Sequence, residues 1–539
     1  MLIGTDQLAR RATWTLLVGA LAALIACCWL VDFDRILRKT PDDAYYYFKI
    51  AENVAAGSGA TFDGIHKTSG FQPLWMLCLA PVFWICPNVP ETAVRIAFSV
   101  QAAVLFAAGA LIVSVLSRVF PWKVVLGVAI CYTFSVFVLA INGMETAVEI
   151  LALAALFAYG WHAKVFFSDR PSMFKRFLFG VLLGVVMLSR LDTVFLGATI
   201  VAFCVGSALA TPGGRLRNLA GAAVIFAGAS LAVAPYLIYN YATFGSASPI
   251  SGTLKSGFPH VSLDRSWDVL EDSLGLPKLL LLASIVVFAL LYFGWYLITA
   301  RSVRSAGDAK FYFHTSVAVL ACDIVLHSLH TVLFMKWAVC TWHFFPYLLF
   351  AALAIAAPFE KLVSSRIGKA VYWWATIGLV AAGILGYGLR MTVSGRLPTW
   401  QTVSYEAALW AREHTDPSDV FALKDTGNFG FFSQRRVINL DGVVNNLEFQ
   451  ELLKTRQLQK YFQQNHVKYL VLHATKDEHP DVFDDTYTIE PATFRSNLYG
   501  VWSDPILLRK CDEVYRAPYL YVERDDFVIW NVSLITESP

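Results

Sequence analysis

A polytopic α-helical membrane protein with a mixed α/β domain after its last span is the fold class this sequence predicts. Three observations carry that expectation. Of 539 residues, 57% are hydrophobic and 15% charged, whereas soluble domains carry about a quarter charged residues. Apolar runs of about 20 residues recur, the length a helix needs to cross a hydrocarbon core. From about residue 394 onward the runs cease, and polar and apolar residues alternate between clusters of Gly, Asn and Pro. That alternation reads as a folded soluble domain of short strands and helices.

Taken in order, the chain starts with Arg10-Arg11 before an apolar run at 12–31. More spans follow and no small-residue cleavage site does, so the run reads as a signal anchor with a cytoplasmic N-terminus. The stretch 71–86 is short and carries Pro73 and Pro81. Its status decides the side of every later loop. If it lies along the surface as an amphipathic interfacial helix, the basic loops 118–123, 164–176, 215–217, 301–310 and 361–369 all fall inside, as the positive-inside rule requires. The remaining spans are then expected near 94–117, 123–141, 147–166, 175–188, 193–210, 219–239, 277–299, 311–333, 341–358 and 370–392. That makes eleven spans in a 1–393 transmembrane domain. Its first outer loop, 32–93, holds two interfacial helices, and a domain at 394–539 lies outside. Ser189-Arg190-Leu191-Asp192 interrupts one apolar stretch, either between two short spans or within a broken helix. Polar backbone at that depth is tolerated only beside protein or water. In the last domain, 405–413 reads as helix and 468–472 as a buried strand.

Other classes are excluded by composition. A net charge of +3 with no basic run gives no footprint for nucleic acid. The nine cysteines lie mostly in apolar segments, without CxxC spacing, so no disulfide framework is indicated.

With that topology the unusual polar residues collect on the outer side. Asp42, Asp43, His66 and Lys67 follow span one, and Asn142-Gly143-Met144-Glu145-Thr146 forms a turn too short to be ordinary surface. Arg190 and Asp192 come next, then Asn240, Ser248, Ser251 and Lys255, then Lys336, Trp342 and His343. Acids this close to lipid-facing segments mark a polar cavity or chemistry, although an Asp before a helical run also fits an N-cap. A carboxylate there can serve as general base toward an acceptor hydroxyl, and Arg or Lys can hold a leaving phosphate. A second carboxylate, Asp42 or Glu145, can hold a divalent cation. Mg, Mn, Ca and Zn are not distinguishable at this level. Sugar transfer from a lipid-linked donor is one chemistry such a set can do.

Pro41-Asp42-Asp43-Ala44-Tyr45-Tyr46-Tyr47, Thr68-Ser69-Gly70-Phe71-Gln72-Pro73-Leu74-Trp75 and Asn142-Gly143-Met144-Glu145-Thr146-Ala147 together resemble the GT-C superfamily of membrane glycosyltransferases. Bacterial arabinofuranosyltransferases, aminoarabinose transferases and protein mannosyltransferases belong to it. Ser189-Arg190-Leu191-Asp192, the 240–255 segment and Asn439-Leu440-Asp441-Gly442-Val443-Val444-Asn445 are similar to bacterial members, so the resemblance runs along nearly the whole chain. It implies inverting transfer of a sugar from a polyprenyl-phosphate donor to a cell-envelope glycan, lipid or protein. The setting implied is the outer face of a bacterial cytoplasmic membrane. Asp43 with Tyr47 fits the family's Asp-x-x-x-Tyr element, which implies Asp43 as base and Asp42 in support. Glu145 matches the second acidic position, and Arg190 and Lys255 are implied for the donor phosphate. Gln72-Pro73 stands where relatives carry a His-Pro or Lys-Pro pair, so His66 or Lys67 is expected to supply the missing cation.

Three other readings compete. Asp323, His327 and His330 share one helix face at i, i+4, i+7 spacing and could bind zinc with His343 nearby. A transporter would need no large outer domain, and no repeated halves are visible. A scaffold whose outer domain binds glycan is the third.

Overall fold

The computed structural model describes residues 2–166, 171–210, 215–261, 263–305, 307–337, 339–364, 378, 380, 400–474, 486–489, 495–496, 501–503, 506–517 and 526–532. Among these residues eight helices are long and apolar enough to cross a membrane: Asp6–Leu30, Pro90–Leu116, Thr146–Ala163, Leu191–Leu209, Arg215–Phe244, Leu276–Ser305, Asp308–Phe334 and Thr341–Ser364. Of the eleven spans expected, ten fall on described residues, and eight of those ten are long and apolar enough. The helix Met173–Ser189 has 17 residues, about 25 Å at 1.5 Å per residue, short of a full hydrocarbon thickness. Trp122–Phe137 is also short and finishes in a π-helical turn, Thr133–Phe137. The span expected at 370–392 and the boundary near 394 lie outside the described residues.

Between the first two long helices the chain builds the two helices expected there, Asp42–Ala55 and Pro73–Ile85. The second is not amphipathic. Trp75, Leu79, Val82 and Phe83 are buried against the protein while Leu77, Trp84 and Ile85 are exposed, so the helix is apolar on every side. A helix of that kind meets protein on one face and lipid on another.

The C-terminal domain holds a five-stranded mixed sheet in the order Arg436–Asn439, Val420–Leu423, Val467–Ala474, Asp526–Asn531, Glu513–Ala517. The first three strands are parallel and the last two pair antiparallel. Side chains alternate across it with the period of two that strands impose. Phe421, Leu423, Val471, Phe527 and Ile529 face the segment after the first span. Val420, Ala422, Leu470, Val528 and Trp530 face the helices Leu447–Lys454 and Leu458–Gln464. The first face belongs to one core shared with the Asp42–Ala55 helix. Phe431 and Phe432 of the short helix Gly427–Phe432 meet Tyr45, Phe48 and Phe83 at ring-centroid distances of 5.3–5.9 Å. The α/β domain is therefore clamped onto the loop that carries the paired aspartates.

Asp42 is part of that clamp. Its Oδ2 accepts the Gly427 N–H at 2.7 Å and its Oδ1 the Asn428 N–H at 2.8 Å. These are the orphan donors at the start of Gly427–Phe432. The expectation that Asp42 supports the base or binds a metal is thereby corrected: both oxygens are taken by backbone. Burial, then the neighbouring Asp425 carboxylate, push its pKa up against these two bonds. Asp42→Ala leaves two amides unsatisfied and should cost about 1–2 kcal/mol, the range for a lost cap. Faster proteolysis between the C-terminal domain and the helical part is the expected readout. Cleavage at the wild-type rate would contradict the clamp.

Candidate active site

Asp43, one residue on, points the other way. It lines a cavity of about 210 Å³ to which segments far apart in the chain contribute. The start of the Asp42–Ala55 helix supplies Asp43, Tyr46 and Tyr47, and the 142–145 turn supplies Glu145. The break between the Met173–Ser189 helix and the next supplies Arg190 and Asp192. Lys255 comes from the short helix Ile250–Lys255, and Trp342 and His343 from the start of the last described span. Val443 of the C-terminal domain closes one side.

Local hydrogen bonds fix each piece. Gly143 adopts φ +85°, where an L side chain is strained, and a Cβ there would lie 2.7 Å from the Ala44 Cβ. Its N–H donates to Gln101 Oε1 at 2.9 Å, and its carbonyl accepts the Trp75 indole N–H at 2.8 Å. Glu145 is thus held at the first turn of Thr146–Ala163. The interruption at 189–192 is a true break: Arg190 is extended, and a 3-10 turn, Leu191–Thr193, restarts the helix. Its Leu191 N–H donates to Gln72 Oε1 at 3.3 Å, and the Gln72 N–H donates to the Tyr47 hydroxyl at 3.2 Å. Gln72 thus ties the break to Tyr47 through its side-chain carbonyl and its backbone N–H.

Two charge arrangements follow. Lys255 Nζ lies 3.6 Å from Asp43 Oδ2. Burial pulls the Lys255 pKa down, but the Asp43 carboxylate, followed by Cys340, Glu145 and Asp441, outweighs it, so Lys255 lies above the usual lysine value and stays an ammonium. The Asp43 carboxylate itself is one-third exposed toward the cavity. Deeper in, Arg190 is enclosed by three carboxylates. Nη1 donates to Glu145 Oε1 at 3.0 Å and Nε to Asp192 Oδ1 at 3.0 Å, while Glu149 Oε1 lies 3.7 Å from Nε. Nη1 also reaches the Trp342 carbonyl at 3.4 Å. Glu145 Oε2 and Glu149 Oε2 are buried without hydrogen-bond partners.

Arg190 therefore organises acids, and its fork is not left open for a phosphate as the sequence suggested. His66 and Lys67 do not reach the cavity. His66 Nδ1 pairs with Asp63 at 2.7 Å, and Asp63 pairs with Arg436 at 3.3 Å. Burial raises the Asp63 carboxyl, but the His66 contacts outweigh it and hold it below the usual aspartate value. Lys67 is exposed. Glu149 is the residue sequence reading missed. Its signal was present, since Glu145 and Glu149 stand at i, i+4 and share a helix face.

The residues expected to hold a divalent ion do not fit one. Asp42 is committed to two amides, and Glu145 shares Arg190. In the alternative set, His327 Nε2 lies 3.6 Å from Asp192, its Nδ1 3.3 Å from the Tyr347 hydroxyl, and His330 Nε2 3.3 Å from Ser256 Oγ. Among the described residues no group of three His, Cys, Asp or Glu is placed to hold a metal ion.

By sequence, residues 396–519 match a domain of unknown function, DUF8728. No curated protein matches. Among solved structures, ArnT from Cupriavidus metallidurans bound to undecaprenyl phosphate is 11% identical and covers 97% of this chain and 99% of its own, with a TM-score of 0.53. The Archaeoglobus fulgidus oligosaccharyltransferase complex with Zn and sulfate is 13% identical, covers 85% and 68%, and has a TM-score of 0.47. The fold is similar to that of ArnT. At such identity the likeness concerns the fold, a polytopic helical membrane part with a C-terminal mixed α/β domain.

Proposed function

We propose that this chain transfers a sugar from a polyprenyl-phosphate donor to a hydroxyl of a cell-envelope acceptor, with inversion, on the extracytoplasmic side of a bacterial cytoplasmic membrane. The observation that carries the reading is the Asp43–Lys255 pair, 3.6 Å apart in a cavity within a GT-C fold. Asp43 takes the proton of the acceptor hydroxyl as its oxygen bonds to the anomeric carbon. The bond from that carbon to the phosphate oxygen breaks, and the polyprenyl phosphate leaves with the electron pair. Lys255 is the cation available for that phosphate, because Arg190 is already neutralised by acids. Holding donor and acceptor in one cavity supplies much of the acceleration, and Lys255 stabilises charge that grows only as the bond breaks.

A membrane assay against a panel of polyprenyl-phosphate sugars, read by mass spectrometry, tests this. One donor is expected to be consumed with formation of free polyprenyl phosphate and a glycosylated product. No consumption of any donor would contradict it.

The C-terminal domain covers the reaction. A Cβ on Gly70 would lie within 2 Å of the Val443 carbonyl oxygen, so that turn sits directly on the first loop. Thr68 Oγ1 donates to the Asn445 carbonyl at 2.8 Å beside it. Gly70→Ala should displace the 439–446 turn and lower transfer at least several-fold while leaving donor binding at Lys255. Unchanged turnover would mean the cover is dispensable.

A further inference from the structure

Lys255 is followed by a segment that leaves the cavity wall and then returns to it. The Lys255 carbonyl accepts the Lys336 N–H at 3.0 Å, and the Gly257 N–H donates to the Phe334 carbonyl at 2.6 Å. Ser256 and Met335 form an antiparallel bridge between these two bonds. At the far end the Ser273 hydroxyl accepts the Val339 N–H at 3.2 Å, and Met335 and Val339 both line the cavity. Between the two fastenings lies the helix Leu263–Leu274. Leu263, Trp267, Leu270 and Leu274 stand at i, i+4, i+7 and i+11, one apolar stripe of that helix. Half of the stripe is seated on protein: Leu270 and Leu274 are buried, and the helix packs on Asp308–Phe334. The other half is open. Leu263 and Trp267 are 55% and 58% exposed, and Phe258 and Val261 just before them are 67% and 58% exposed.

Large apolar side chains gathered in so short an exposed segment mark a contact surface, and the chain on either side says with what. Phe258 meets Phe334, the last residue of the span Asp308–Phe334, at a ring-centroid distance of 5.1 Å. Two residues past the helix, Leu276 opens the span Leu276–Ser305, and both Leu276 and Leu280 are exposed on its lipid-facing side. Both ends of the segment are therefore pinned at the outer ends of spans, the depth of the lipid head groups, where an indole ring is at home. Asp268, Glu271 and Asp272, exposed on the same helix, are acidic. Burial of apolar surface, not attraction to anionic lipid, then drives the contact. We infer that the Phe258–Trp267 patch is seated among the head groups of the outer leaflet, and that this seat holds Lys255 in place opposite Asp43. The seat stands on the patch alone; the hold on Lys255 rests on the proposed transfer. Trp267 is a positioning residue in that role, acting through the fastened 255–257 segment.

The full chain labelled with 5-fluorotryptophan, in phosphatidylcholine nanodiscs, should show one fluorine signal that Trp267→Phe removes. Phosphatidylcholine spin-labelled at the head group should broaden that signal at least twofold more than a water-soluble gadolinium chelate does, and equally at low and high salt. Stronger broadening by the chelate would put Trp267 in water and overturn the seat. Broadening by neither would put a protein surface, such as a second copy of this chain, over the patch and overturn it as well. In the same nanodiscs, release of polyprenyl phosphate from the donor consumed in the panel assay should fall at least fivefold in Trp267→Glu. Trp267→Leu, which keeps an apolar side chain, should restore most of that loss. Release at the wild-type rate in Trp267→Glu, or no recovery in Trp267→Leu, would overturn the hold on Lys255 and leave the seat standing. No consumption of any donor by the wild-type chain would sink the transfer reading and the hold with it, leaving the seat to the fluorine result.

Discussion

Asp43→Asn should lower sugar transfer by about 10²–10⁴-fold, the range a general base contributes, while the protein folds and binds donor as before. The asymmetry follows from the surroundings of the side chain. Asp43 is one-third exposed to the cavity and makes one ion pair, at 3.6 Å, and an isosteric amide keeps an acceptor oxygen for Lys255 while removing the base. Its neighbour behaves oppositely: Asp42 holds two amides of the C-terminal domain, and Asp42→Asn should alter stability more than chemistry. Turnover of purified single variants in lipid nanodiscs, beside their apparent melting temperatures, separates the two. Asp43→Asn with near wild-type turnover would remove the base assignment.

Arg190→Gln should be the most destabilising single change in the membrane part. Glu145, Glu149 and Arg190 are each at most 4% exposed, and Asp192 completes the cluster. Removing the one cation leaves three carboxylates facing each other, and breaking a buried ion pair from one side costs about 3–5 kcal/mol. The apparent melting temperature should drop sharply. Adding Glu149→Gln to Arg190→Gln should recover part of the loss, because it removes one stranded charge and keeps the shape. If the double variant melts no higher than the single one, charge imbalance is not what destabilises it.

The residues that could be read from sequence were those whose environment is local. Long apolar runs report spans directly, and the tyrosines and aspartates after the first span stood out because their setting was apolar. What escaped depends on distant chain. Asp42 reads as a site residue until Gly427 and Asn428, some 385 residues away, are seen to bind it. His66 and Lys67 lie close to Asp43 in sequence, yet the Asp63–His66–Arg436 clamp and an exposed turn take them elsewhere. Arg190 reads as a free cation because two of its three acids, Glu145 and Glu149, come from another helix. The count of spans failed where helices are shorter than hydropathy suggests, at Met173–Ser189 and at the π-helical end of Trp122–Phe137. Hydropathy reports composition, and it does not see backbone geometry.

Asp43 and Lys255 are proposed to face one sugar phosphate. A structure of the protein with a non-transferable polyprenyl-phosphate sugar tests it most directly. A phosphate oxygen is expected within about 3 Å of Lys255 Nζ, hydrogen-bond distance, with the anomeric carbon open to attack from the side of Asp43. A phosphate bound away from Lys255, with the Asp43 cavity unfilled, would contradict it.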